Sequence, residues 1–155
     1  MHTVHLQIAP PYQSWLNADR LIAVARSALR AAASPAAELT IVLTTDEAVR
    51  ELNRRYRSAD IPTDVLSFEA VPGDFPVPGA ETPYLGDAVI AAPTAARQAR
   101  ATGHTPAEEI FLLAIHGILH LLGYDDHTPV GKAAMWQKQA EILTANGLNH
   151  VKPTE

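Results

Sequence analysis

The residues best suited to chemistry stand in one stretch of the C-terminal third, "HGILHLLGYDDH", residues 116–127, where His116 and His120 are four apart and His127 follows two aspartates. In a helix of 3.6 residues per turn, such positions lie about 40° apart around the axis and about 6 Å apart along it, so both rings can converge on one ion. Zinc takes imidazole nitrogens at about 2.0–2.1 Å in a tetrahedral arrangement, and a catalytic zinc keeps one position for water. A third ligand must come from elsewhere, and the turn at Gly123 brings the chain back over the helix end where His127 follows. One histidine in an apolar helix is ordinarily a core residue satisfied by a hydrogen bond. Two at ligand spacing leave four ring nitrogens to satisfy, which favours a metal. The chain has no cysteine, so any transition-metal site is built from His, Asp and Glu.

The metalloprotease pattern His-Glu-x-x-His puts its general base directly after the first histidine, where this chain has Gly117. Peptidase chemistry of that kind therefore lacks its base, and a glycine on a packed helix suggests a close neighbour. Glu109, two turns before His116 on the same face, is placed either to orient a ligand or to stay solvated in the first turn. Upstream, Arg50, Arg54 and Arg57 recur at helical spacing with Arg55 beside them, a basic stripe able to grip phosphate or simply to face solvent.

These residues need a helix whose register is secure. Thr105 can cap it, Pro106 suits its first position, Glu108 completes a capping box and Gly123 stops it. Its body, "IFLLAIHGILHLL", is apolar on every side, the mark of a central buried helix. Alternation predicts strands in "TVHLQIA", "ELTIVLT", "DVLSFEA" and "LGDAVIAA". Helical spacing predicts helices over 18–33, over 44–57 with a Thr44/Glu47 capping box, over 94–102 and over 128–146. Val49, Leu52, Asn53 and Tyr56 should share one face of the second of these. "VPGDFPVPGAETP", with four prolines and two glycines, reads as a long loop. The expected fold is α+β, a single domain over 1–155 with a small mixed sheet of about four strands, about five helices, and the His-x-x-x-His helix at its centre.

Length and composition agree: 155 residues at 47% apolar suffice for one core. The N-terminus lacks a basic region followed by an apolar run, and the longest apolar stretch is too short for a bilayer, so a soluble, cytoplasmic protein with no membrane partner is expected. A net charge of −5 gives no general attraction to polyanions, so a nucleic-acid partner would need a local basic patch.

Together, "HGILHLLGYDDH", "LNRRYRSADIPTDVLSFE" (52–69) and "LGDAVIA" (85–91) resemble the YbeY family of metal-dependent endoribonucleases, also known as rRNA maturation factors. In order and spacing they cover about half the chain. The resemblance implies a single-domain hydrolase that binds one Zn2+ through three histidines and cuts single-stranded RNA in maturation of small-subunit ribosomal RNA and in ribosome quality control. It further implies a ribosomal subunit or ribosomal proteins as partners, with DNA not expected. It makes Arg57 the catalytic arginine, and Asp64, Ser67 and Asp87 also match family positions. The commoner family pattern is Gly-Tyr-Asp-His, and this chain is one residue longer, so Asp126 occupies the usual third-ligand register. His127 is taken as the ligand with His116 and His120, because imidazole suits zinc and a loop can absorb one residue; Asp126 or Asp125 then accepts from a ligand N–H. Two other functions could use the same ion: a peptidase or small-molecule hydrolase, and a non-enzymatic ribosome-assembly factor with a structural metal.

Overall fold

The computed structural model describes residues 2–59, 63–70 and 82–153. Its elements are β1 (Thr3–Ile8), α1 (Ala18–Ala31), β2 (Glu38–Thr44), α2 (Asp46–Arg57), β3 (Val65–Glu69), β4 (Tyr84–Ala91), α3 (Ala92–Thr102), α4 (Pro106–Leu121) and α5 (Pro129–Ala145), with a short 3-10 turn at Pro10–Tyr12. This is the expected α+β architecture. The sheet runs β1-β2-β4-β3, with β1, β2 and β4 parallel and β3 antiparallel to β4, so β3 is an edge strand. Most of the long Pro/Gly loop expected over 71–83 lies outside the described residues.

Period-two alternation sorts the strand residues between two faces. Leu39, Ile41, Leu43 and Ile90 join the main core with α1, α4 and α5, while Val89 and Ala91 pack with Val42, Leu66 and Phe68 under Val49 of α2. The main core is organised around α4, which packs against α1, α3, α5, β3 and β4. Ile110, Ile115, Ile118 and Leu119 of α4 are fully buried. Each stabilises the fold by about 1.5–3 kcal/mol, enough to offset the cost of carrying polar side chains inward on the same helix.

Both ends of α4 form as local chemistry dictates. The Thr105 hydroxyl accepts from the Glu108 N–H at 3.2 Å, and the Glu108 carboxylate accepts from the Thr105 N–H at 2.9 Å. At the far end Gly123 adopts φ +97°, its N–H reaching the His120 carbonyl (3.0 Å) and the Tyr124 N–H the Leu119 carbonyl (2.9 Å), which closes a Schellman turn. In α2 the expected cap is displaced by one residue: Thr45, not Thr44, accepts from the Ala48 N–H. Thr44 is held in the β2 ladder opposite Ala91, so its backbone belongs to the sheet.

Gly117 shows why α4 carries no side chain after His116. A β-carbon there would stand 3.0 Å from Ala88 Cβ and 3.3 Å from Val65 Cγ2, and the Gly117 carbonyl accepts from the Ser67 hydroxyl at 2.9 Å. The helix thus lies directly on β3 and β4, leaving the metalloprotease glutamate no space.

Candidate metal centre and cleft

The register of α4 brings His116 and His120 together, ring centroids 4.6 Å apart and Nε2 atoms 3.0 Å apart. Each ring is fixed by its other nitrogen. His120 Nδ1–H donates to the Tyr124 carbonyl at 3.1 Å, a bond available only because the Schellman turn folds Tyr124 back over the helix end. His116 Nδ1–H donates to Gln139 Oε1 at 3.1 Å, and Gln139, on α5, is 2% exposed. With both Nδ1 atoms donating, both Nε2 atoms present lone pairs to one point, the geometry a cation needs. Two imidazoles on a tetrahedral zinc would place those atoms about 3.3 Å apart, close to the separation here. Burial holds His116 below the usual imidazole range, His120 adds to this, and Gln139, Asp64 and Asp126 pull the other way, so the neutral, ligating form dominates near neutral pH.

The third side chain in this group is Asp126: one ligand atom from each of His116, His120 and Asp126 lies within 4.8 Å of the others. His127 is not brought to the pair. Its backbone N–H donates to Asp125 Oδ1 at 2.7 Å, a turn that directs the ring to solvent with 85% of its side chain exposed. There His127 joins Asp125 and Asp126 in a second, more exposed cluster. The loop is pinned from beyond as well: a β-carbon on Gly131 in the first turn of α5 would meet the Asp125 carbonyl at 2.5 Å. In this loop His127 thus turns outward, while Asp126 faces the histidine pair. Two imidazoles and a carboxylate fit a divalent ion of the nitrogen- and oxygen-preferring kind.

His120 and Asp126 also line a cleft of about 760 Å³ whose other wall is the end of α2 and the edge strand β3, with Tyr56, Arg57 and Phe68. Arg57 donates to the Ser67 carbonyl, and its guanidinium carbon lies 5.3 Å from the Phe68 ring centre. The basic stripe as a whole does not face the cleft. Arg54 and Arg55 pair with Glu51, and of the stripe only Arg57 lines it.

The other residues singled out from sequence have structural partners. Glu109 is 1% exposed, so it is not a solvated charge; it also does not hold the His116 ring, which bonds to Gln139 instead. It accepts from the Gln98 amide at 2.9 Å and pairs with His104, itself 2% exposed in its side chain. Removing it as Glu109→Ala leaves the buried His104 ring without its hydrogen-bond partner and is expected to cost about 1–3 kcal/mol, read as a lower urea midpoint at unchanged slope. A loss under about 1 kcal/mol would show that water replaces the carboxylate. Asp64 accepts from the Val65 N–H (2.8 Å) and the Gln98 amide (3.2 Å), Ser67 ties β3 to α4, and Asp87 accepts from the Tyr84 hydroxyl. Burial, seconded by Asp87, pushes Tyr84 up to about 12. Gln139 escaped the sequence reading, although it is a polar residue in the buried set Met135, Gln139, Ile142 and Leu143 of α5, and that misfit is its signal.

A family model described as Endoribonuclease YbeY matches residues 11–147. The protein named Endoribonuclease YbeY from Dehalococcoides mccartyi is 42% identical over 146 residues, 88% of this chain and 88% of that one. Its namesake from Moorella thermoacetica is 45% identical over 140 residues, 84% of this chain and 89% of that one. A solution structure of a Thermotoga maritima protein shares the fold at TM-score 0.59 and 21% identity, covering 100% of this chain and 99% of that one.

Proposed function

The chain belongs to the YbeY family of endoribonucleases, hydrolases that cut phosphodiester bonds within RNA, and on that premise we propose that it cleaves single-stranded RNA at the His116/His120 site with one zinc ion. What supports the metal is the convergence of two imidazole lone pairs and a carboxylate beside a cleft that also holds an arginine. A zinc ion held there by His116, His120 and Asp126 would supply Lewis acidity and activate water for attack on the phosphodiester. Everything else is the work of the protein. Gln139 and the Tyr124 carbonyl hold the two rings in the ligating tautomer. Arg57 spends one donor on the Ser67 carbonyl, and its remaining N–H groups bind the phosphate and neutralise charge that develops during cleavage.

The third ligand comes from the loop after Gly123. Asp126 has the position for it, and His127 reaches the ion only if its turn with Asp125 opens. Small-subunit ribosomal RNA is the substrate in this reading, within ribosome maturation and quality control, which sets the protein in the cytoplasm. With a net charge of −5, general attraction to RNA is weak, so a ribosomal subunit or ribosomal protein supplies the docking contact. No helix among the described residues is long and apolar enough to cross a membrane.

The deciding experiment measures zinc content and cleavage of a labelled single-stranded RNA for the wild type, the chelator-stripped wild type, Asp126→Ala and His127→Ala. Stripping should abolish cleavage and one equivalent of zinc should restore it; cleavage that survives stripping sinks the zinc mechanism. Asp126→Ala should lose the metal while His127→Ala keeps it. The reverse pattern assigns the ligand to His127 and requires the loop to move on binding.

A further inference from the structure

The apolar stripe of α2 is buried at its start and exposed at its end. Val49 is fully buried against β4 and the half-buried Leu52 packs beside it, yet Tyr56, seven residues after Val49 on the same face, is 61% exposed. Only one other large hydrophobic side chain among the described residues is exposed, Val130. β3 is the edge strand of the sheet, and the final turn of α2 places the Tyr56 ring against its Phe68 and in the cleft that His120 and Asp126 also line.

The ring is held without being covered. Phe68 meets it edge to face, centroids 5.7 Å apart at 75°, and Phe68 itself is anchored in the cluster beneath α2. Arg57, the next residue in the chain, lies against the same Phe68. A braced, exposed aromatic and a guanidinium thus stand side by side on one wall, with the metal-ligating group on the other. This pairing matches a nucleotide: the cation takes the phosphate and the ring takes the base.

We propose that Tyr56, braced by Phe68, is a stacking platform for an unpaired nucleobase next to the phosphate being cut. The proposal rests on the RNA-cleavage reading and adds the source of its strand selectivity. Every base has a π-face, so such a platform tolerates any sequence, but a base must leave its helix to use it, so paired RNA cannot engage it. In a protein of net negative charge, stacking also supplies affinity that phosphate contacts alone do not.

The test uses zinc-loaded wild type, Tyr56→Ala and Tyr56→Phe in single-turnover cleavage of a labelled single-stranded oligoribonucleotide, with the same oligonucleotide annealed to its complement and a series carrying one abasic residue at each position. Tyr56→Ala should raise the half-saturating concentration roughly 5- to 150-fold, the range for loss of one stacked base, with the saturated rate and zinc content unchanged. Tyr56→Phe should behave as wild type. One abasic position should weaken the wild type by a similar factor and leave Tyr56→Ala no worse. The platform is overturned if Tyr56→Ala binds single strands as tightly as wild type, if the loss falls on the saturated rate instead, or if the duplex loses as much as the single strand. Should the wild type leave RNA uncut, the cleavage reading fails by itself, and fluorescence anisotropy on the uncut oligonucleotide still measures the stack.

Discussion

His120→Ala is expected to keep its helix content while losing its metal, and with it RNA cleavage by on the order of a thousandfold or more. The size follows from the chemistry at stake: a metal ion stabilises transition-state charge by several kcal/mol, and each 1.36 kcal/mol is a factor of ten in rate. The fold should survive because α4 is held by Ile110, Ile115, Ile118 and Leu119, none of which depends on the imidazole. The helix also keeps its capping box and Schellman turn, and the vacated space adjoins an open cleft rather than forming a closed cavity. Circular dichroism, metal analysis and single-turnover cleavage on one preparation read all three quantities. If helix content falls together with the metal, the ion is structural and the protein is better read as a metal-stabilised assembly factor. If cleavage persists without metal, the phosphodiester chemistry belongs elsewhere in the cleft.

How much of this was legible beforehand depends on how local each signal is. The pairing of His116 with His120 is set by helix geometry alone, and α4 was readable because Thr105, Glu108 and Gly123 write both its ends in nearby chemistry. The cap of α2 was misplaced because Thr44 and Thr45 have the same local chemistry, and only the pairing of Thr44 with Ala91 in the sheet separates them. The helix after β4 starts at Ala92 rather than Thr94, its first turn built around Pro93. The path after Gly123 was beyond reach for another reason: it depends on the Asp125–His127 turn and on Gly131, a residue of the next helix, pressing on the Asp125 carbonyl. Gln139 and Tyr56 are placed by distant partners, the first by His116 of α4 and the second by Phe68 of β3.

Arg57→Ala should lower the saturated cleavage rate on the order of a hundred- to a thousandfold, the usual loss when one preorganised donor to transition-state charge is removed, while zinc content stays at wild-type level. The expectation singles out Arg57 among neighbouring arginines because of where each is held. Arg54 and Arg55 are drawn to Glu51 on the outer surface of α2, so Arg54→Ala and Arg55→Ala should leave cleavage within a few-fold of wild type. Arg57 is fixed by the Ser67 carbonyl and the Phe68 ring on the wall facing His120, which costs it one donor and orients the rest. Lysine offers a point charge on a flexible stem, without the planar fork that lies on Phe68 and grips phosphate bidentately, and Arg57→Lys should recover only a small part of the rate. The kinetic split decides the role. A loss confined to the half-saturating concentration would make Arg57 a ground-state phosphate contact, equally strong before and during the reaction, whereas a loss in the saturated rate identifies charge that the guanidinium meets only as the bond breaks. Equal effects from Arg54→Ala and Arg57→Ala would return the whole helix face to a diffuse electrostatic role and remove Arg57 from the chemistry.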